Sequence, residues 1–402
     1  MPDHPLIAAR REHEAELRAL RHDIHRQPET GYTEHRTAGL VASRLREWGL
    51  GVTEGIAGTG VIATLQGRRP DRHLGRRAIG LRADLDALFI QEMPGRAYGS
   101  EVPGKMHACG HDGHTAMLLG AARHLAENPD FGGTVQFIFQ PAEEGLGGAP
   151  KMISEGLFEQ FPVDAVYGMH NWPGIPVGEF HTRTGPFMAS AQLWTVTFHG
   201  AGGHAGASST IATDLSIPLA HFVLALQSII SRNVSADQAA VVSIGPIAAG
   251  EIGSANVVPS EIVIRGTTRS YDAGVHDLMA QRITEIAQAQ AQAFHCTAEV
   301  VHHPRTPVLV THAEQTGVSV AAATALVGAG RVNAHAAPSM AGEDFADMLA
   351  ARPGGFVFIG AGVADDGSFT ALHTPGYDFN DDILSLGATY WVQWVQAELG
   401  AT

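Results

Sequence analysis

The sequence predicts an α/β protein: a larger domain with a largely parallel sheet flanked by helices, into which a ferredoxin-like α+β unit is inserted. Three observations carry this. The 402 residues exceed what one ordinary core supports, which favours two domains. Short apolar runs alternate with helical stretches over residues 1–187 and again over 305–402, as in a parallel sheet. Between them, residues 188–304 follow the order β-α-β-β-α-β of a ferredoxin-like sandwich.

Element by element, Pro5–Ile24 carries apolar residues at helical spacing with charges opposite. Thr33–Trp48 reads as a second helix, ended by Gly49 as a C-terminal cap. Strand-like runs follow at Gly60–Leu65, Ala78–Leu81, Thr134–Phe139 and Ala165–Tyr167, with helices at Gly113–Glu127 and Ala149–Gly156. The inserted unit begins with the alternating strand Gln192–Phe198 and a Gly-rich turn, His199 to Gly206. A helix over Asp214–Ser231 comes next, then strands Ala239–Ile244 and Glu261–Thr267, helix Val275–Phe294 and strand Thr297–Val301. From about Val308 the α/β pattern resumes, with strand Phe356–Ile359 and a closing helix Asp381–Leu399.

Composition narrows the class. Apolar content of 45% with 17% charged residues is that of a globular protein, and no apolar run is long enough to span a bilayer. The balance of 26 basic against 41 acidic residues gives −15, which argues against nucleic acid or an anionic membrane as partner. Two distant cysteines form no disulfide framework and suit a reducing cytoplasm. The charged N-terminal stretch lacks the apolar core of a signal peptide, so a cytoplasmic location is expected.

Polar clusters fall at the ends of successive strands: Arg82-Ala83-Asp84-Leu85-Asp86, Gln140 to Gly145 with Glu143 and Glu144, and Met169-His170-Asn171. Open α/β sheets bind ligands at the carboxyl ends of their strands, so three segments deliver carboxylates and imidazole to one edge. Cys109 and His111, two residues apart on a turn that feeds a helix, can grip a transition-metal ion. A binuclear metal hydrolase needs about five or six protein ligands, a carboxylate base and help for the developing oxyanion. Of the adjacent Glu143 and Glu144, one can ligate while the other takes a proton from water. His170 and His373 are candidates for further ligand positions, and Asp84 is placed to orient a ligand histidine. Taken singly, each has an ordinary reading. A histidine at a strand end is commonly hydrogen-bonded surface, a glutamate pair is commonly solvated, and Asp86 can cap a helix. Their shared sheet edge is what those readings leave unexplained.

Arg82 to Leu88, the Cys109–His111 segment, Gln140 to Gly145, Gly168-Met169-His170 and Leu372-His373 together resemble the bacterial and plant amidohydrolases. That group includes hippurate hydrolases, aminoacylase-like N-acyl-amino-acid amidohydrolases and hydrolases of auxin–amino acid conjugates, a branch of the carboxypeptidase-G-type metallopeptidases. The resemblance spans nearly the whole chain from His22. It implies two divalent ions per subunit, held by Cys109, His111, Glu144, His170 and His373, with Glu143 as general acid/base. The donor types favour zinc and also admit manganese, cobalt or nickel. The inserted unit resembles a lid and dimerisation domain, implying a homodimer or homotetramer. There His204 matches the histidine that polarises the scissile carbonyl, and Asn256 and Arg269 match substrate-binding positions. Ser339 to Phe345 resembles a late motif near the active site that includes Glu343. The chain departs from relatives at Ala207 to Leu215, which lacks their Pro-His pair and is one residue longer, placing the usual substrate preference in question.

The expected activity is therefore hydrolysis of the amide of a small N-acyl-amino acid. A dipeptidase or N-acetyl-diamino-acid deacetylase of the same superfamily is the nearest alternative. A cysteine amidase with Cys109 as nucleophile and His111 as base, or a non-catalytic metal- or peptide-binding protein, are rivals of a different class.

Overall fold

The computed structural model describes residues 13–69, 77–210 and 213–400, so the first part of the expected Pro5–Ile24 helix lies outside the described residues. The chain divides into two units. One comprises the chain up to Phe187 together with Val310–Ala337 and Asp344–Thr402, and the other comprises Met188–Leu309 and Pro338–Glu343.

The first unit opens with helices α1 (Glu14–Arg26) and α2 (His35–Glu47). Helix α1 buries Leu17, Arg21, Ile24 and His25, and α2 buries Thr37, Ala38, Val41, Ala42 and Leu45, each a single stripe at helical period. Strands β1 (Gly51–Ile56) and β2 (Gly60–Gln66) form an antiparallel hairpin. Then come β3 (Ala78–Asp84), α3 (His111–Glu127), β4 (Thr134–Gln140), α4 (Gly148–Ser154) and β5 (Ala165–Pro173). Strand β3 pairs in parallel with β4 on one side and β5 on the other. Its side chains from Ile79 to Asp84 are buried, as expected of a strand covered on both faces.

In the second unit β6 (Ser190–His199), α5 (Ser216–Ser228), β7 (Ala240–Ala249), β8 (Glu261–Ser270), α6 (Ala273–Ala293) and β9 (Thr297–Thr306) follow in turn. The sheet order is β7-β8-β6-β9, antiparallel throughout, which is the ferredoxin-like arrangement. Alternation along β6 and β8 sends Trp194, Val196, Phe198, Ile262 and Ile264 inward. They share a core with Phe222 and Leu226 of α5 and Met279 and Ile283 of α6. This unit extends past the expected limit of 304, because β9 continues to Thr306 and pairs Thr306 with Ala191. The segment Pro338–Glu343 also belongs to it, tied by bonds from Ala189 N to Ser339 O and Ala341 O.

The chain then returns with α7 (Ala313–Val327), α8 (Phe345–Ala351), β10 (Gly354–Gly362) and α9 (Leu384–Leu399). The eight-stranded order is β1-β2-β4-β3-β5-β10, followed by the short strands Phe180–His181 and Val332–Asn333. Its centre, β4-β3-β5-β10, is parallel, whereas the β1–β2 edge and the Phe180–His181 pairing with β10 are antiparallel. The first nine residues of α3 are all buried, because this helix lies in the core against α1 and α9. Its N-terminus is thereby fixed beside the carboxyl ends of β3 and β5. Among the described residues no helix is long and apolar enough to cross a membrane.

Candidate metal centre

Register brings the polar strand ends together. Asp84 pairs with Gln140 across β3 and β4, and Arg82 pairs with Gly168 across β3 and β5, so His170 emerges at the same level. The buried Arg82 guanidinium fastens this edge, donating to Asp84 Oδ2 (2.7 Å), Gln140 Oε1 (2.8 Å) and Asp344 Oδ1 (3.2 Å). Cys109 arrives just before α3 and His111 is its first residue. Gly110 between them has φ of +97°, and a Cβ there would lie 2.2 Å from Asn171 Oδ1 and 2.8 Å from Tyr377 OH. Only glycine permits that close approach.

The donor atoms form two triads that share one sulfur. Those of Cys109, His111 and His170 lie within 4.8 Å of one another, and so do those of Cys109, Glu144 and His373. Glu143 joins a third such set with His111 and Glu144. The His170 ring places Nδ1 2.7 Å from the Asn171 carbonyl and turns Nε2 toward Cys109 Sγ at 3.3 Å. Burial, with His114 and His111 nearby, holds His170 well below its usual range and keeps that nitrogen a lone-pair donor. His373 is half-exposed, with φ of +60° and its N–H bonded to Ala108 O at 2.8 Å. A left-handed conformation at a non-glycine residue is a local strain typical of functional positions.

The carboxylate nearest His111 Nδ1 is Asp86 Oδ1, at 3.3 Å, rather than Asp84. Asp86 also accepts from Glu144 N (3.0 Å), so it orients one candidate ligand and anchors the backbone of another. Asp84 turns its Oδ1 to His114 Nδ1 at 2.6 Å, and His114 Nε2 lies 2.7 Å from Asn171 Oδ1. Both ring nitrogens of His114 are thus engaged away from the donor set. His107 is buried with neither ring nitrogen hydrogen-bonded, and burial pushes it down to about 3. Sequence reasoning read Asp86 as a helix cap. The chain turns after β3, so strand alternation no longer tells which carboxylate faces the histidine.

The residues fit divalent cations. His111 Nε2 is buried without a hydrogen bond, 3.6 Å from Asp84 Oδ2 and 3.9 Å from Glu144 Oε1, and Glu144 Oε1 also lies 3.3 Å from His373 Nε2. Burial lowers His111, but Asp84, Asp86 and Glu144 outweigh it and raise the ring to about 10, which measures how strongly the pocket demands positive charge. Burial likewise pushes Glu144 up, and His373, His111 and Cys109 override it to hold the carboxyl below its usual range.

His204, Asn256 and Arg269 lie in the second unit. His204 pairs with Val257 on a two-stranded ribbon, and Ala205 N bonds Asn256 O at 2.9 Å, so these two residues are neighbours. Arg269 stands near the far end of β8, opposite Ala191, with Nη1 on Thr268 O at 2.9 Å. Glu343 is buried in the Pro338–Glu343 segment of the same unit.

A cysteine sulfur, imidazoles and carboxylates gathered in two triads at the ends of a parallel sheet are the donor set of a metal-dependent amidohydrolase. The chain belongs to peptidase family M20/M25/M40, whose profile matches residues 80–397. It is 37% identical over 380 residues to a hippurate hydrolase from Campylobacter jejuni, covering 94% of this chain and 96% of that one. It is 38% identical over 380 residues to an N-acetyl-L-cysteine deacetylase from Bacillus subtilis, covering 94% and 87%. Among solved structures it is similar to a dinuclear metal-binding peptidase of the M20 family from Bacillus subtilis, with TM-score 0.77, 30% identity, and coverage of 96% and 98%. Family and donor sets together support two divalent ions per chain.

Two predictions follow from this geometry. Gly110→Ala should lower stability by about 1–3 kcal/mol through overpacking and should weaken metal binding, read by denaturation and metal titration. The second concerns His25, buried behind α3 with Nδ1 2.8 Å from Asp112 Oδ2. Burial lowers its pKa, but Asp112 and Glu92 outweigh burial and raise it to about 9. Because the folded value exceeds the unfolded one, the stabilisation is complete below about pH 6.5 and is lost as pH rises through about 9. The denaturation midpoint of metal-free protein should therefore fall across that window, and fall less in His25→Gln.

Proposed function

We propose that this protein hydrolyses the amide bond of an N-acyl-amino acid, releasing a carboxylic acid and a free amino acid. The observation that carries the reading is the sharing of Cys109 between two donor triads, with the carboxylate of Glu143 beside them. When bound, two divalent ions, zinc or manganese with cobalt or nickel also suited, supply the Lewis acidity that polarises the carbonyl and acidifies water. Glu143 takes the proton from the attacking water and hands it to the leaving nitrogen. Asp344 N, 3.4 Å from Glu143 Oε1, helps hold that carboxylate in place. His204 donates to the developing oxyanion, and Arg269 or Asn256 holds the substrate carboxylate. The hippurate hydrolase and deacetylase likenesses support this substrate class.

The second unit supports a working dimer. His204 and Asn256 precede β8, and Arg269 follows Glu261 by eight residues along that strand. At about 3.4 Å per residue Arg269 stands roughly 27 Å along the strand from Glu261, longer than an ordinary N-acyl-amino acid. A dimer in which His204 and Asn256 reach the partner's site would bring both groups to one substrate. Strand β7 leaves one edge of its sheet open and exposes Ile247, and α5 exposes Leu224 and Ile217. Open edges and apolar surface of this kind call for a partner.

Glu143→Ala should keep its metals and lose turnover of N-acetyl and N-benzoyl amino acids. Chelation should abolish wild-type activity, which a Cys109 nucleophile would survive. Mixing inactive His204→Ala and Arg269→Ala subunits should restore roughly a quarter of wild-type activity, since one site of each mixed dimer is complete. No recovery on mixing would mean that both residues act within one subunit.

A further inference from the structure

The loop that carries Glu143 and Glu144 is gripped from a segment far away in sequence. Glu34, fully buried at the start of α2, points its carboxylate away from solvent toward that loop. Its Oε1 accepts from Ala142 N at 2.8 Å, and its Oε2 accepts from Thr59 Oγ1 at 2.7 Å. Ala142 has φ of +55°, a left-handed conformation that an alanine adopts only under constraint. Two further contacts close the same grip. A Cβ on Gly31 would lie 2.7 Å from Leu146 Cδ1 and 3.0 Å from Ala142 Cβ, so the backbone at Gly31 packs directly on the loop. Tyr32, itself at φ of +62°, donates its hydroxyl to Leu146 O at 3.1 Å. Contacts thus fall on both sides of the glutamate pair, at 142 and at 146.

We infer that Gly31–Glu34 is a clamp and that Glu34 is a positioning residue: its bond to Ala142 N holds the strained turn that aims Glu143 and Glu144. This rests on the roles given above to those two glutamates. The cause is local and specific. A buried N–H that lost its acceptor would carry a desolvation cost, and rotating the Ala142 peptide to avoid that cost relaxes the positive φ. Such a rotation swings the next two side chains, and a displacement of about 1 Å at a reacting group is enough to cost about 100-fold in rate. Thr59 shares Glu34 through its hydroxyl, so its bond contributes to seating the carboxylate.

The test is a set of variants assayed on one N-acyl-amino acid with saturating metal. Glu34→Ala should lower kcat by about 10- to 100-fold even at saturating metal, weaken metal binding through Glu144, and leave KM little changed. Glu34→Gln, whose amide oxygen can still accept from Ala142 N, should recover most of kcat. Thr59→Val, which loosens the carboxylate without removing the acceptor for Ala142 N, should lower kcat less than Glu34→Ala. Ala142→Gly removes the strain at positive φ, so combining it with Glu34→Ala should cost much less than the product of the two single effects. Wild-type kcat in Glu34→Ala, equal loss in Glu34→Gln, or strictly multiplicative effects would overturn the inference. Should Glu34→Ala not fold, Glu34→Asp serves, because the shortened carboxylate withdraws from Ala142 N; undiminished kcat there would equally overturn it. If the wild-type enzyme cleaves no N-acyl-amino acid, the proposed function fails instead. If it does and Glu143→Ala is dead, the Glu34 variants judge the clamp alone.

Discussion

Everything at this sheet edge answers to one constraint: carboxylates crowded in a buried pocket must be balanced by positive charge. Asp84, Asp86 and Glu144 all raise His111, whose Nε2 makes no hydrogen bond and lies 3.6 Å from Asp84 Oδ2 and 3.9 Å from Glu144 Oε1. Uncompensated charge in such surroundings costs several kcal/mol per ion, so the fold brings compensation from many directions. Arg82 spans Asp84, Gln140 and Asp344. His114 takes Asp84 Oδ1, and backbone N–H groups of Ala142, Glu144 and Ala149 take Glu34, Asp86 and Asp344. What these leave unbalanced faces Cys109, His170 and His373, where under the proposed reading divalent ions would supply the remaining positive charge.

The same constraint explains the local strain. Ala142 and His373 hold positive φ while the residues around them are fixed by bonds to Glu34 and Ala108. Both lie on loops that lead into the donor set, where a relaxed backbone would point the side chains elsewhere. Gly110 serves a related need by letting Asn171 and Tyr377 close against the turn that presents Cys109 and His111.

Much of this was legible in the sequence. The central strands read as apolar runs because both of their faces are covered, and the polar clusters after Leu81, Phe139 and Tyr167 mark their carboxyl ends. The ferredoxin-like order was readable from alternation and helical period, since its sheet buries one face only. The rest depended on information a linear pattern does not hold. Which nitrogen of His111 faces Asp84 and which faces Asp86 is decided by a turn beyond the strand. Glu34 acts on Ala142 across 108 positions, with no motif to join them. The remoteness of Arg269 from His204 follows from register within β8, and the antiparallel β1–β2 edge follows from a hairpin at 57–59 rather than from apolar period.

The central claim is that two ions share the Cys109 sulfur, and metal stoichiometry tests it most directly. Metal content per chain, with titration of metal-free protein by zinc and by manganese, should be compared between wild type and Cys109→Ser. The account predicts two bound ions per wild-type chain and weaker binding of both in the variant. A single ion in the wild type, or a variant that loses one ion while holding the other at wild-type affinity, would contradict it.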